Sequence, residues 1–132
     1  MTDQPKGLVV RDAHFPGRAP LDAYGDGGFR FADMSHRGSL LCLPSGIYGW
    51  DVTTLEAMAP GAFDRVVAEA AAIEVLFIGT GDDLAPPPEA VRRFLRENDV
   101  RMEFMATGAA VRTFNVLLGD ARAVAGAFLA VD

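Results

Sequence analysis

The chain has 132 residues, 12 Lys and Arg against 18 Asp and Glu, and a formal net charge of −6. With a pI near 4.8, it lacks the basic field that non-specific nucleic-acid or anionic-membrane binding needs, so neither partner is expected. One cysteine excludes an internal disulfide and a Cys-cluster metal site. Half the residues are hydrophobic, enough to bury a full core in one domain spanning 1–132. No apolar run approaches the roughly 20 residues of a membrane helix, and Met1–Lys6 is polar, without the apolar core of a signal peptide. A cytoplasmic location without membrane insertion is the expectation.

In chain order, residues 1–20 contain Pro5, Pro16, Gly17 and Pro20 with little periodicity, and read as an extended N-terminal arm with a short strand at Leu8–Val10. Gly25–Gly28 is a turn. Phe29–Met34 alternates like a strand with one buried face, and Ser35–Gly38 turns the chain. Ser39–Leu43 is an apolar strand, Pro44-Ser45-Gly46 turns again, and Ile47–Val52 follows as the last strand of an antiparallel meander.

The period then changes. Phe63, Val66, Val67 and Ala70 share a helical face behind Pro60, which suits the first helical position, although Ala59 before it is a poor cap. Val75–Ile78 is a buried strand, expected at the centre of the sheet. A helix begins near Pro87 or Pro88 and turns Val91, Phe94 and Leu95 inward, with Glu89 and Arg93 spaced i,i+4. Strand 100–105 follows, with Arg101 and Glu103 on its wetter face. A helix bearing Ala110, Val111, Phe114, Leu117 and Leu118 ends at Gly119, and Val124–Val131 closes as a strand. Hairpins followed by β-α-β-α-β give an α/β layered domain with strands 75–78 and 100–105 parallel neighbours.

Two strand ends carry similar signatures: Gly79-Thr80-Gly81 after the first parallel strand, and Ala106-Thr107-Gly108 after the second. Loops leaving parallel neighbours emerge at the same sheet edge, where open α/β sheets bind ligands. Gly79, Thr80, Gly81, Thr107, Gly108 and Arg112 are therefore the candidate crevice for a small anion, with Thr107 capping the helix and Arg112 supplying charge. The alternative is a plain capped turn, with Arg112 exposed or paired to Asp82 or Asp83. Gly79–Leu84 lacks the third glycine of a dinucleotide fingerprint, and no Walker-A motif is present, so no cofactor is implied.

His14 and His36 are the only histidines, and neither has a partner at metal-ligand spacing. His36 reads as part of an exposed hairpin turn. A triad of His36 with Ser39 or Ser45 and an aspartate lacks the Gly-x-Ser-x-Gly elbow. Cys42, between Leu41 and Leu43, reads as a buried inert thiol. Tyr48 and Trp50 share one face of their strand, as core residues or as interface anchors.

Phe31-Ala32-Asp33, the Leu43–Trp50 run, Ile78-Gly79-Thr80-Gly81 and above all Met105–Leu117 resemble one family across nearly the whole chain beyond its first ten or so residues. It is the small Mth-type domain-of-unknown-function family that includes mitochondrial complex I assembly factor 3 and the adipogenesis-associated Mth domain-containing protein. The resemblance implies a three-layer α/β fold with a mixed central sheet and a β-hairpin layer. It also implies no established catalysis, and partner-protein binding by the mitochondrial member during respiratory complex assembly. Without a transit peptide, the chain looks like a bacterial member. A non-enzymatic interaction or assembly-factor-like protein is the leading expectation; a small-molecule or anion binder, or weak enzyme, using the crevice is the rival.

Overall fold

A computed structural model describes residues 14–132; the strand expected at Leu8–Val10 lies outside them. The strands are β1 (Phe15–Pro16), β2 (Ala23–Gly25), β3 (Gly28–Phe31), β4 (Met34–Arg37), β5 (Ser39–Leu43), β6 (Gly46–Trp50), β7 (Val75–Gly79), β8 (Met102–Met105) and β9 (Val124–Phe128). The helices are α1 (Asp64–Ala68), α2 (Glu89–Glu97) and α3 (Thr107–Gly119).

Two sheets form. The larger is mixed, in the order β1-β6-β5-β9-β7-β8, and the smaller is β2-β3-β4. β7 runs parallel to both neighbours, with Leu76 opposite Met102 and Val75 opposite Val124. β9 is antiparallel to β5, with Leu41 opposite Ala127. The strand expected at the centre thus has a neighbour on each side, and all five of its residues are buried. Period-2 alternation sends Leu76 and Ile78 to one side of the sheet and Val75 and Phe77 to the other.

The first side packs against α1 and α2, joining Phe63, Val66, Val91 and Leu95 with Leu43, Leu76 and Ile78. The second packs against α3 and the small sheet, joining Phe29, Phe31, Ala110 and Phe114 with Leu40, Phe77 and Phe128. That is the three-layer α/β arrangement. Gly126 sits in the middle of β9 because the Phe128 ring folds back over it, meeting Phe114 edge-on at a centroid distance of 5.5 Å. Arg101 and Glu103 are exposed on one side and share a depression with Glu74 and Arg122.

Several boundaries differ from the sequence reading. Residues 29–34 are not one strand. Phe31 pairs with Met34 across a two-residue turn, where Ala32 (φ 48°) and Asp33 (φ 62°) are both left-handed. Ser35, His36 and Arg37 consequently belong to β4 and not to a turn. The helix expected behind Pro60 is broken into a 3-10 turn at Pro60–Phe63, the short α1, and a second 3-10 turn at Ala70–Ala72. No side chain caps it at Ala59, and only Phe63 and Val66 are fully buried along it. At the end of α3 the left-handed residue is Ala121 (φ 62°), two positions beyond Gly119. β9 stops at Phe128 rather than Val131.

Candidate functional site

The two junctions lie side by side, as parallel strands require. Thr80 N–H donates to Met105 O at 2.8 Å, and Thr107 N–H donates to Gly81 O at 2.8 Å. Leu129 N–H, just past β9, donates to Gly79 O at 3.0 Å. Three chain segments therefore converge on one edge of the sheet.

Thr107 is not a cap. The N-cap of α3 is Ala106, which makes no side-chain hydrogen bond, and Thr107 is the fully buried first helical residue. Its Oγ1 donates to Leu129 O at 2.7 Å and accepts from Gly81 N at 3.0 Å. A hydroxyl both donates and accepts, so one side chain locks the 79–81 loop to the exit of β9. Sequence favours a cap for a Thr-Gly pair at a helix start; here the tertiary acceptor lies 22 residues away. Gly79 is glycine for the same reason, since a Cβ there would stand 2.9 Å from Thr107 Oγ1 and 3.0 Å from its Cα.

Thr80 is also committed. Its Oγ1 donates to Asp83 O at 2.6 Å, lies 3.1 Å from Met105 O, and accepts from Ala85 N at 3.3 Å. Gly81, at φ +104°, has open space where a side chain would stand. Gly108 is covered: the Tyr24 hydroxyl occupies the volume a Cβ would take. Arg112 Nη1 donates to that hydroxyl at 3.1 Å, and among the described residues no ion pair joins it to Asp82 or Asp83. Arg112 thus serves Tyr24 of the small sheet and makes no bond to the 79–81 loop. The threonines expected to meet a ligand bond to nearby backbone, and the arginine to Tyr24.

Tyr48 and Trp50 share a face, as expected, but it is the core face. Each is only 8 % exposed. Trp50 donates its indole N–H to Ala62 O at 3.0 Å and meets Phe63 edge-on at 5.4 Å. The Arg65 guanidinium lies 4.3 Å above the Tyr48 ring, and the Tyr48 hydroxyl is bonded to Ser45 Oγ. Burial under the 3-10 turn at Pro60–Phe63 and α1 leaves neither aromatic the free face an interface anchor requires.

No triad is assembled. Ser45 Oγ donates to Glu69 Oε2 at 2.5 Å, and Ser45 N–H donates to Glu69 Oε1 at 2.9 Å, which ties the β5–β6 turn to the end of α1. Ser39 is buried and its Oγ accepts from Ala130 N. His36 Nε2 lies 3.1 Å from the Ser39 carbonyl oxygen, so the neutral ring donates there. The His36 ring lies 4.8 Å from that of His14, tilted 47° to it, over Gly49 of β6. Partial burial holds the His36 pKa below its ordinary value, and His14 adds to the depression. Among the described residues, no group of three or more His, Cys, Asp or Glu is placed to hold a metal. Cys42 is buried in β5, and desolvation pushes its thiol pKa well up.

Two side chains that organise this region escaped the sequence reading. Asn115 accepts from Leu21 N at 2.9 Å and donates to Leu21 O at 2.8 Å, clamping the approach to β2 against α3. Its signal is a lone amide beside the apolar stripe of that helix. Tyr24 carries a weaker signal, an aromatic beside Gly25 in a segment without periodicity.

Residues 21–129 match the family model described as protein of unknown function, DUF498/DUF598. The chain belongs to this family. Among relatives, an uncharacterized protein of Rhodobacter capsulatus is 34% identical over 126 residues, covering 92% of this chain and 93% of that one. NADH dehydrogenase [ubiquinone] 1 alpha subcomplex assembly factor 3 of Drosophila melanogaster is 32% identical over 113 residues. That match covers 83% of this chain but 57% of the fly protein. Among solved structures, one described as an outer membrane protein of Bartonella henselae shares 58% identity at a TM-score of 0.84, covering 90% of this chain and 100% of that one. A Bordetella pertussis Mth938-like domain shares 26% identity at a TM-score of 0.69, with 85% of each chain covered. The DUF498/DUF598 family thus joins bacterial Mth938-like proteins and complex I assembly factor 3, as the residue resemblance implied. No helix among the described residues is long and apolar enough to cross a membrane.

Proposed function

We propose that this chain works by binding a partner protein during assembly of a larger complex, in the cytoplasm, and that it catalyses no reaction. The observation that carries the reading is the relationship to assembly factor 3, which spans 83% of this chain. The junction at Gly79–Gly81 and Thr107 supports it. The hydroxyls of Thr80 and Thr107 and the N–H of Gly81 already have partners within the fold, and an anion would displace those bonds at a cost of about 1–3 kcal/mol for each buried group left unpaired.

The experiment is deletion of the gene in the organism that carries it, with NADH:quinone oxidoreductase followed on native gels. Accumulation of a subassembly, and retention of that subassembly by the tagged chain, is the expected result. Normal assembly together with a tagged chain that elutes alone overturns the reading. A phosphate or small carboxylate that raises the Tm of the wild type, and fails to do so for Arg112→Ala, replaces it with ligand binding at the crevice.

A further inference from the structure

The small sheet has one face in the core and one in solvent. Its register aligns Tyr24, Phe29 and His36 in one row and Phe31 with Met34 in another, and Phe29 and Phe31 are buried. The alternate rows, Ala23–Arg30–Ser35 and Gly25–Gly28–Arg37, must face the other way. The outer face therefore consists of small residues with two arginines standing on it. These strands line an open trough of about 390 Å³.

Both guanidiniums are held in place by neutral acceptors. Arg30 Nη1 donates to Ser35 Oγ at 3.1 Å, and Arg37 Nη1 to the backbone oxygen of Asp26 at 3.4 Å. Among the described residues neither forms an ion pair, and Asp26 is the one carboxylate lining the trough. The other arginine-rich region contrasts with it. On α2, Arg92 and Arg93 pair with Glu89 at 3.1 and 3.9 Å. In a chain of net charge −6, a trough lined by two guanidiniums against the single carboxylate of Asp26 is a local reversal of sign.

We propose that this outer face binds an acidic, extended segment of a partner protein. Arg30 and Arg37 are diagonal neighbours, two residues apart along the strands and one strand across, a separation of about 7–8 Å. That is within reach of carboxylates at i and i+2 of an extended chain, which are about 6.5–7 Å apart. Guanidinium forks recognise carboxylates bidentately. The small side chains of Ala23 and Ser35 and the absence of one at Gly25 let a peptide backbone approach closely. The trough is open, whereas small-ligand sites enclose most of their ligand, so a chain laid across the sheet fits better than a free anion.

This rests on the partner-binding reading and can fail without it. The test uses purified protein and two synthetic peptides, Glu-Ser-Glu-Ser-Glu and its glutamine counterpart, with inorganic phosphate as a third probe. Amide shifts are followed by NMR. The acidic peptide should perturb residues 23–30 and 35–37, the glutamine peptide should not, and Arg30→Gln with Arg37→Gln should weaken binding tenfold or more. An unchanged spectrum for β5, β7 and β9 shows that the variant is folded, and the single replacements serve if the double one is not. Shifts that are absent, map to the α2 arginines or persist in the variants overturn the proposal. So does phosphate acting equally at matched charge. Any of these leaves partner binding standing, which only the deletion strain decides.

Discussion

Thr107 shows how much one hydroxyl can be asked to hold. It is fully buried and joins two segments that otherwise meet only through backbone. Thr107→Val keeps the shape and leaves Gly81 N–H and Leu129 C=O unpaired, so urea denaturation should show a loss of about 2–4 kcal/mol. Thr107→Ser should stay within about 1 kcal/mol; equal losses for both would show that shape and not bonding matters. Cys42 makes a simpler case. With burial raising its pKa, labelling by thiol reagents in the native protein should be far slower than in denaturant, and equal rates would refute burial. The burial of Cys42 is readable because its flanks, Leu41 and Leu43, are local. The role of Thr107 is not, because its acceptor comes from a segment far along the chain. The same holds for Arg112, whose partner Tyr24 lies 88 residues away.

Among the elements, those with strong local signals appear where the sequence places them. β5, β7 and α2 carry apolar runs or a clear amphipathic stripe, and the turn joining β2 to β3 has Asp26-Gly27, a strong signature of a tight hairpin. The next hairpin lacks that signature. Ala32-Asp33 adopts the same positive φ angles without glycine or asparagine, so the sequence hides this turn and places one at Ser35–Gly38 instead. The left-handed conformation costs an alanine about 1–2 kcal/mol. Replacing Ala32-Asp33 with Asn-Gly should therefore stabilise the protein by about 0.5–1.5 kcal/mol in thermal or chemical unfolding. A destabilised variant would mean that Ala32 or Asp33 makes a contact which outweighs its strain. α1 fails for a different reason. Its apolar spacing is helical, but with no cap at Ala59 only five residues hold the α form.

At the level of the whole molecule, layer order was legible from the change of period near residue 60, and the pairing of the two sheets was not. They meet partly through His36, which reaches from β4 toward Ser39 and lies against His14 over β6. Because the folded pKa is lowered, the unfolded chain takes up a proton first as pH falls through about 6.5. Stability contributed by neutral His36 is complete above that pH and declines below it, until the folded pKa is reached. Tm should fall on acidification from pH 7.5 to pH 5, and His36→Gln, which retains a donor for Ser39 O, should flatten that decline. An equally steep decline in His36→Gln would assign the acid sensitivity to other groups.

β9 has a consequence for synthesis. It is the last of the described strands, yet it lies between β5 and β7 and joins the antiparallel half of the sheet to the parallel half. A ribosome that has released residues 1–119 has produced two half-sheets, each with an apolar edge waiting for the same missing strand. Until residues 124–128 emerge those edges are open to any other strand, so a nascent chain that has already made β5 and β7 stays exposed to misassociation until β9 is added.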